Sequence, residues 1–385
     1  MGWPLVRLGE VLQEVSDPVA VDPAAKYCNL GLYSYARGAF TKPPIDGAQT
    51  SARTLYRVAA GRLIYSRLFA FEGAYAVVPE AMDGYFVSNE YPVFEHDADR
   101  VSVGYLKWLL TEPAVWRAIA VGSKGLGVRR QRVHPAQVLN YHAPLPPLAE
   151  QQRIVARLDR VAGLVRARAE AAAAMEADLQ AMLARAFARC IDAAPRRPMA
   201  EVAPLIRRPV EIEPDGAYPE LGVRSFGRGT FHKPVLPGSE VGTKKLFEIA
   251  PGDLLFNIVF AWEGAVAIAQ PADTGRVGSH RFLTCVPEPA TATADFLLFY
   301  FQTPEGLQRL GEASPGGAGR NRTLGLKKLE TIEVPLPPLE TQRWFDRLQA
   351  KARQIRDIRA ASARDTDALI PALLHQVFGA GDRAA

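Results

Sequence analysis

Pro144-Leu145-Pro146-Pro147-Leu148, followed by a run from Ala149 to about Cys190 with almost no Gly or Pro, decides how this chain is built. The same five residues return 191 positions later as Pro335-Leu336-Pro337-Pro338-Leu339, and a second long run follows them. Much of the chain ahead of each copy matches at that offset. Leu30-Gly31, Ser34-Tyr35, Arg37-Gly38, Phe40 and Lys42-Pro43 answer to Leu221-Gly222, Ser225-Phe226, Arg228-Gly229, Phe231 and Lys233-Pro234. Gly61 to Tyr65 and Phe69 to Ala74 answer to Gly252 to Phe256 and Phe260 to Ala265. Chance does not hold one register so long, so the chain is a duplicated unit.

In the first long run Ile154, Leu158, Val161, Val165, Arg168, Ala172, Met175, Leu179, Met182 and Ala186 alternate steps of four and three. With one charged exception, that is a coiled-coil seam. In the second, Phe345, Leu348, Ala352 and Ile355, then Leu369 and Leu373, keep the beat, while Arg359, Ser362 and Thr366 interrupt it. The candidates for helix–helix docking are Ile154, Leu158, Val161, Val165, Met175, Leu179, Phe345, Leu348, Ile355, Leu369 and Leu373. Connectivity sends the second helix back toward the first globule, so the pair is expected to be antiparallel, a rod of roughly 60 Å. Pro371 should kink or end the second helix nearby. Two ordinary amphipathic core helices are the alternative, but runs near 40 residues exceed the usual helix about threefold.

Ahead of each Pro-Leu-Pro-Pro-Leu the chain is rich in short β-type runs, such as Leu63 to Phe71 and Leu254 to Trp262, with one expected helix per half, Val103 to Ile119 and Ala294 to Leu310. The predicted fold class is α+β: two tandem globules, 1–143 and 194–334, separated by two long antiparallel coiled-coil helices, 144–193 and 335–385, in a pseudo-twofold internal repeat.

At 385 residues the chain is too long for one ordinary core. Its 48% hydrophobic and 23% charged residues leave ample apolar surface to bury. A formal charge of +5 suits a polyanionic partner without requiring one. Cys28, Cys190 and Cys285 are odd in number and far apart, which argues against a disulfide framework and for a reducing cytoplasm. Met1 to Glu10 lacks the apolar core of a signal peptide and no later run reaches membrane-spanning length, so the chain is expected to be neither exported nor inserted.

No catalytic constellation stands out. His96, His134, His142, His232, His280 and His375 show neither pairing on one helix face nor the Cys partners that zinc needs. No Gly-x-x-x-x-Gly-Lys-Ser/Thr loop is present. Lys42-Pro43-Pro44-Ile45 shares only its prolines with the Asn/Asp-Pro-Pro-aromatic motif of amino-methyltransferases. The chain reads as non-enzymatic.

Two Gly-rich basic loops are more informative. Gly122 to Arg132, with Lys124, Arg129, Arg130 and Arg132, aligns with Ala313 to Thr323, which carries Arg320, Asn321 and Arg322. Glycines let a backbone approach phosphate, and Arg reaches base edges with two hydrogen bonds. Arg129 and Arg320 form the matched pair. The same composition suits a solvated surface turn. Arg37 and Lys42, matched by Arg228 and Lys233, form a second basic loop. Its Tyr35, Phe40, Phe226 and Phe231 are expected to pack it onto its own globule in preference to stacking on bases. Glu72 and Glu263 are expected to bond nearby amides, although a carboxylate there can also accept from a cytosine amino group.

Two α+β globules, each followed by Pro-Leu-Pro-Pro-Leu, a Gln-Arg pair (Gln152-Arg153 and Gln342-Arg343) and a long helix, resemble the specificity subunit of Type I restriction-modification systems over the whole chain. Aligned on those pairs, the second copy is one residue shorter after Leu339. The resemblance implies a non-catalytic reader of double-stranded DNA, each globule a target recognition domain for half of a split sequence, with the helices setting the distance. It also implies two docked modification subunits that carry S-adenosylmethionine and methylate adenine, and restriction/translocase subunits that use ATP and Mg. No cofactor is implied for this chain, and a cytoplasmic role in phage defence is. A stand-alone DNA-binding regulator, an orphan specificity protein and a scaffold that touches no DNA are the competing readings. The shared register implies one docking frame, with Arg129 and Arg320 at equivalent places in the two half-sites.

Overall fold

The computed structural model describes residues 3–121, 132–316 and 322–379. The chain divides into two units, Met1–Ala172 with Arg359–Ala385, and Ala173–Ile358, and both divisions fall inside long helices.

In the first unit one sheet runs Pro18–Ala20, Thr54–Arg57, Phe86–Val87, Lys26–Leu32, Ala39–Asp46, and another runs Leu12–Val15, Val93–His96, Leu63–Tyr65, Tyr75–Val77. The second unit repeats both sheets. One runs Thr230–Pro237, Ala217–Val223, Val277–Ser279, Leu246–Glu248, and the other Val266–Ile268, Leu254–Asn257, Phe282–Cys285. The outermost strands shrink there to the single bridges Pro209–Phe247 and Leu205–Cys285. Pro43, Pro44 and Pro234 sit in edge strands, where a missing N–H costs no ladder bond, and the register shifts beside them. Each globule closes on itself: Leu5–Arg7 pairs antiparallel with His142–Pro144, and Arg196–Pro198 with Glu333–Pro335.

The single helix expected in each half is two. Val103–Leu109 is followed by Pro113–Ala120, and Ala294–Gln302 by Pro304–Glu312. Pro113 and Pro304 lack the amide that continuation would use, so each opens a new helix, where that amide is not needed. Glu112 and Thr303 cap these helices by accepting from the Ala114 and Gly306 amides. The β-type runs from Leu63 and Leu254 likewise stop at Tyr65 and Asn257 and pass into the 3-10 turns Ala70–Glu72 and Ala261–Glu263.

The first long helix is Leu148–Ile191, and the second is Leu339–Asp367 followed by Leu369–Phe378. Pro371 causes that break, because it cannot donate to the Asp367 carbonyl and its ring would collide with it, so it is accommodated in the first turn of a new helix.

At the start of each long helix a glutamine is fully buried. Gln151 donates to the Arg100 and Pro146 carbonyls at 2.9 and 2.8 Å and accepts from the Ser102 amide at 2.9 Å. Gln342 donates to the Thr291 and Pro337 carbonyls, both at 2.8 Å, and accepts from the Thr293 amide at 3.1 Å. Ser102 and Thr293 are themselves helix caps, so each glutamine binds two helix starts together. The alignment of Gln152 with Gln342 is thereby corrected. Gln151 is the equivalent, the offset of 191 runs into the helix, and the second copy lacks no residue there.

Within each unit the two helical runs pack antiparallel. In the first, Ile154 and Leu158 share a core with Leu374 and Phe378, Arg168 donates to Ser362 Oγ, and Arg359 donates to the Ala172 carbonyl. In the second, Leu183 and Phe187 share a core with Phe345 and Ala352, and Arg356 grips Glu176 through Nη2 and Nε at 2.8 and 3.0 Å. Of the polar residues that interrupt the seam, Arg168, Arg359 and Ser362 are therefore partnered across it, while Thr366 donates to the Ser362 carbonyl of its own helix. Val161, Val165, Leu179, Leu348 and Leu373 are half-buried, whereas Met175, Ile355 and Leu369 are 52%, 42% and 47% exposed. Leu183 and Phe187 carry the seam where Met182 was expected to.

Two outcomes test this packing. Gln151→Ala or Gln342→Ala leaves a buried amide and two carbonyls unpaired and should cost its unit about 2–4 kcal/mol in urea unfolding. A loss below about 1 kcal/mol would show that the clamp is dispensable. Burial, reinforced by nearby Asp295, pushes the Asp346 carboxyl up to about 6 despite a hydrogen bond from Thr293. The folded state then holds a proton that the unfolded chain releases near ~3.9. The stability from this group is complete below that value and lost as pH rises through about 6. Asp346→Asn should raise the melting temperature at pH 7.5 and flatten the wild-type decline between those pH values in thermal melts.

Candidate nucleic-acid interface

In each globule the Glu-Gly turn and the basic aromatic loop are locked together. Tyr35 and Ala36 amides donate to the Glu72 and Gly73 carbonyls at 2.7 and 2.8 Å, and Phe226 and Gly227 amides to those of Glu263 and Gly264 at 2.9 and 3.0 Å. Ser34 and Ser225 hydroxyls donate to the Glu72 and Glu263 carboxylates at 2.9 and 3.2 Å. The two glutamates thus accept from loop hydroxyls and, through their carbonyls, from loop amides. The lock holds Tyr35 at φ 63°, Ala36 at φ 51° and Phe226 at φ 60°, left-handed conformations that cost a side-chain-bearing residue about 1–2 kcal/mol.

The four aromatics expected in the loop divide in two, because Phe40 and Phe231, with Lys42 and Lys233, belong to the strands Ala39–Asp46 and Thr230–Pro237 and not to the loop. Phe40 and Phe231 are half-buried and pack on their own globules, over Gly31 and Gly222, where a Cβ would collide with the rings. Tyr35 and Phe226 project into solvent, 65% and 71% exposed. Arg37 sits 5.2 Å from the Tyr33 ring and Arg228 5.9 Å from the Phe226 ring, both guanidinium groups exposed.

A second shared frame lies at the start of the strands Val93–His96 and Phe282–Cys285. The Arg67 amide donates to the Glu90 carbonyl and the Ile258 amide to the Arg281 carbonyl, both at 2.9 Å. The Val133 and Leu324 amides donate to the Arg67 and Ile258 carbonyls at 3.0 and 2.9 Å. On this frame Lys42 lies 5.2 Å from the Tyr91 ring and Lys233 lies 5.7 Å from the Phe282 ring. In the second globule the frame opens into a cleft of about 700 Å³ walled by Lys233, Asn257, His280, Arg281 and Thr323, with no acidic residue lining it among the described residues.

Of the predicted loop residues, Lys124, Arg129, Arg130, Arg320 and Asn321 lie outside the described residues. Arg132 is exposed and paired with Glu90 at 2.9 Å. Arg322 donates to the Gly311 carbonyl at 3.1 Å, at the end of the helix Pro304–Glu312, and stacks 5.0 Å from Trp262. Sequence reasoning weighed His280 only as a metal ligand and passed over Arg281 and Asn89-Glu90. Comparison at the repeat offset could have found them, since Ser88 and Tyr91 flank one pair and Ser279 and Phe282 the other. Among the described residues no group of three His, Cys, Asp or Glu is placed to hold a metal ion, and no helix is long and apolar enough to cross a membrane.

No protein-family model and no curated protein matches this chain. Its fold is that of solved restriction-modification proteins. The HsdS subunit from Thermoanaerobacter tengcongensis is 22% identical with a TM-score of 0.57, the likeness covering 98% of this chain and 96% of that one. A chain from a structure of the assembly and conformational transition of the type I R-M system is 21% identical with a TM-score of 0.69, covering 98% and 97%.

Ala36, at φ 51°, stands where the second copy has Gly227 at φ 64°. Ala36→Gly should therefore stabilise the first unit by about 1 kcal/mol, read as a higher urea midpoint at unchanged slope. A lower midpoint would mean that the lock does not hold the loop in this conformation.

Proposed function

We propose that this chain is the specificity subunit of a Type I restriction-modification system, a non-catalytic reader of double-stranded DNA whose two globules each engage one half of a split sequence. The observation that carries the reading is the duplicated backbone frame, which presents a lysine beside an aromatic ring at matched positions in both globules. The fold shared along the whole chain with the HsdS subunit supports it. Cationic groups beside aromatics suit phosphates and base faces, and an open cleft without carboxylates suits a polyanion.

The long helices serve as docking surfaces for two modification subunits. Leu164, Met175, Ile355 and Ile358 remain 66%, 52%, 42% and 63% exposed on them, apolar area that a partner would cover. Methyl transfer from S-adenosylmethionine, and restriction driven by ATP and Mg, belong to partner subunits in the cytoplasm.

Duplex DNA affinity should fall steeply and linearly in log–log form with salt. In the cells that carry it, mapping of methylated adenines should lose a bipartite motif when the chain is deleted. DNA binding without a change in methylation would indicate a stand-alone regulator. Salt-insensitive or absent binding would indicate a scaffold.

A further inference from the structure

The two frames carry the same backbone bonds but exchange one charge between their walls. In the first globule Glu90 lies on the turn that leads into the strand, and Arg132 lies opposite, on the segment that leads to Val133. Arg132 Nη2 meets Glu90 Oε1 at 2.9 Å, the guanidinium 60% exposed and the carboxylate 24%. In the second globule the equivalent residues are Arg281 and Thr323. Arg281 is exposed, with no carboxylate paired to it among the described residues. Among the described residues each frame therefore offers one exposed arginine, supplied from opposite walls. Asn89 and His280, next to Glu90 and Arg281, differ as well and are both exposed.

Backbone bonds do not depend on side-chain identity, so a frame can dock on a duplex in one way while its rim changes. A guanidinium is the group best shaped to hold guanine through two parallel bonds to O6 and N7. Moved from one wall to the other, it reaches a different base pair.

We infer that Arg132 and Arg281 are specificity-determining residues, each selecting a guanine in its own half-site, and that their placement on opposite walls of one shared frame makes the half-sites unlike. Glu90 is a positioning residue, which fixes the Arg132 guanidinium by one edge and leaves the rest for the base. The inference rests on the DNA-reading function proposed above.

The test is selection of duplexes from a randomised library by the complex of this chain with its modification subunits, at fixed salt, followed by sequencing. Arg281→Ala should relax one position of one half-site by about 10- to 100-fold and leave the other half-site intact, and Arg132→Ala should do the converse. The double variant Glu90→Arg with Arg132→Thr should move the preferred guanine to another position of its half-site. Glu90→Gln, which keeps one hydrogen bond to Arg132, should weaken the preference without moving it. An unchanged motif in the arginine variants, or an affinity loss equal for all sequences, would overturn the inference, the latter by marking the arginines as phosphate contacts. Failure of the wild-type complex to select any sequence would sink the DNA-reading function itself. Arg132 and Arg281 are exposed and Glu90 half-buried, so thermal melts within about 2 °C of wild type serve as the folding control.

Discussion

A buried glutamine amide with all its hydrogen bonds made inside the protein is the interaction on which each half of this molecule depends. Gln151 and Gln342 each reach two carbonyls and one amide, drawn from their own proline turn and from the N-terminal end of the helix Val103–Leu109 or Ala294–Gln302. The long helix supplies the partner those globule groups need once buried, and the globule supplies the partners the glutamine needs. Neither part satisfies its polar groups alone. The proline-rich signature makes this possible, because prolines hold the turn extended and leave carbonyls free without adding amides that would need partners.

The same economy governs the two duplicated frames. Chains of backbone bonds at Arg67, Glu90 and Val133 recur at Ile258, Arg281 and Leu324, although the side chains differ in charge and size. A frame fixed by main-chain groups tolerates exchange at its rim, which is what a protein needs when two copies of one domain are to recognise unlike partners. The aromatic loops are the opposite case. There the strained residues Tyr35 and Phe226 are themselves aromatic in both copies, held out to solvent by a lock that recurs with them.

Some features were legible before any coordinates. The duplication, the long helices and their antiparallel sense follow from matched residues at one offset and from the direction of the chain. Pro371 announced a break because no helix interior accommodates it. Elsewhere local pattern misled: Pro113 and Pro304 split helices that hydrophobic content alone made continuous, and the Gln-Arg match drew the alignment off by one residue. Met175, Ile355 and Leu369 keep the seam's beat yet face solvent. Burial along a helix depends on what the partner presents at each level, which periodicity does not contain.

By itself, the sequence determined that the chain is two copies of one α+β globule, each ending in a proline turn and a long helix, because those properties depend on residue type and order along the chain. Tertiary structure alone decided which glutamine is the clamp, which aromatics are locked outward, and which wall of each frame carries the exposed arginine. These depend on hydrogen bonds between segments such as residues 100–102 and 151, or 90 and 132, far apart in sequence and matched only when the chain is folded.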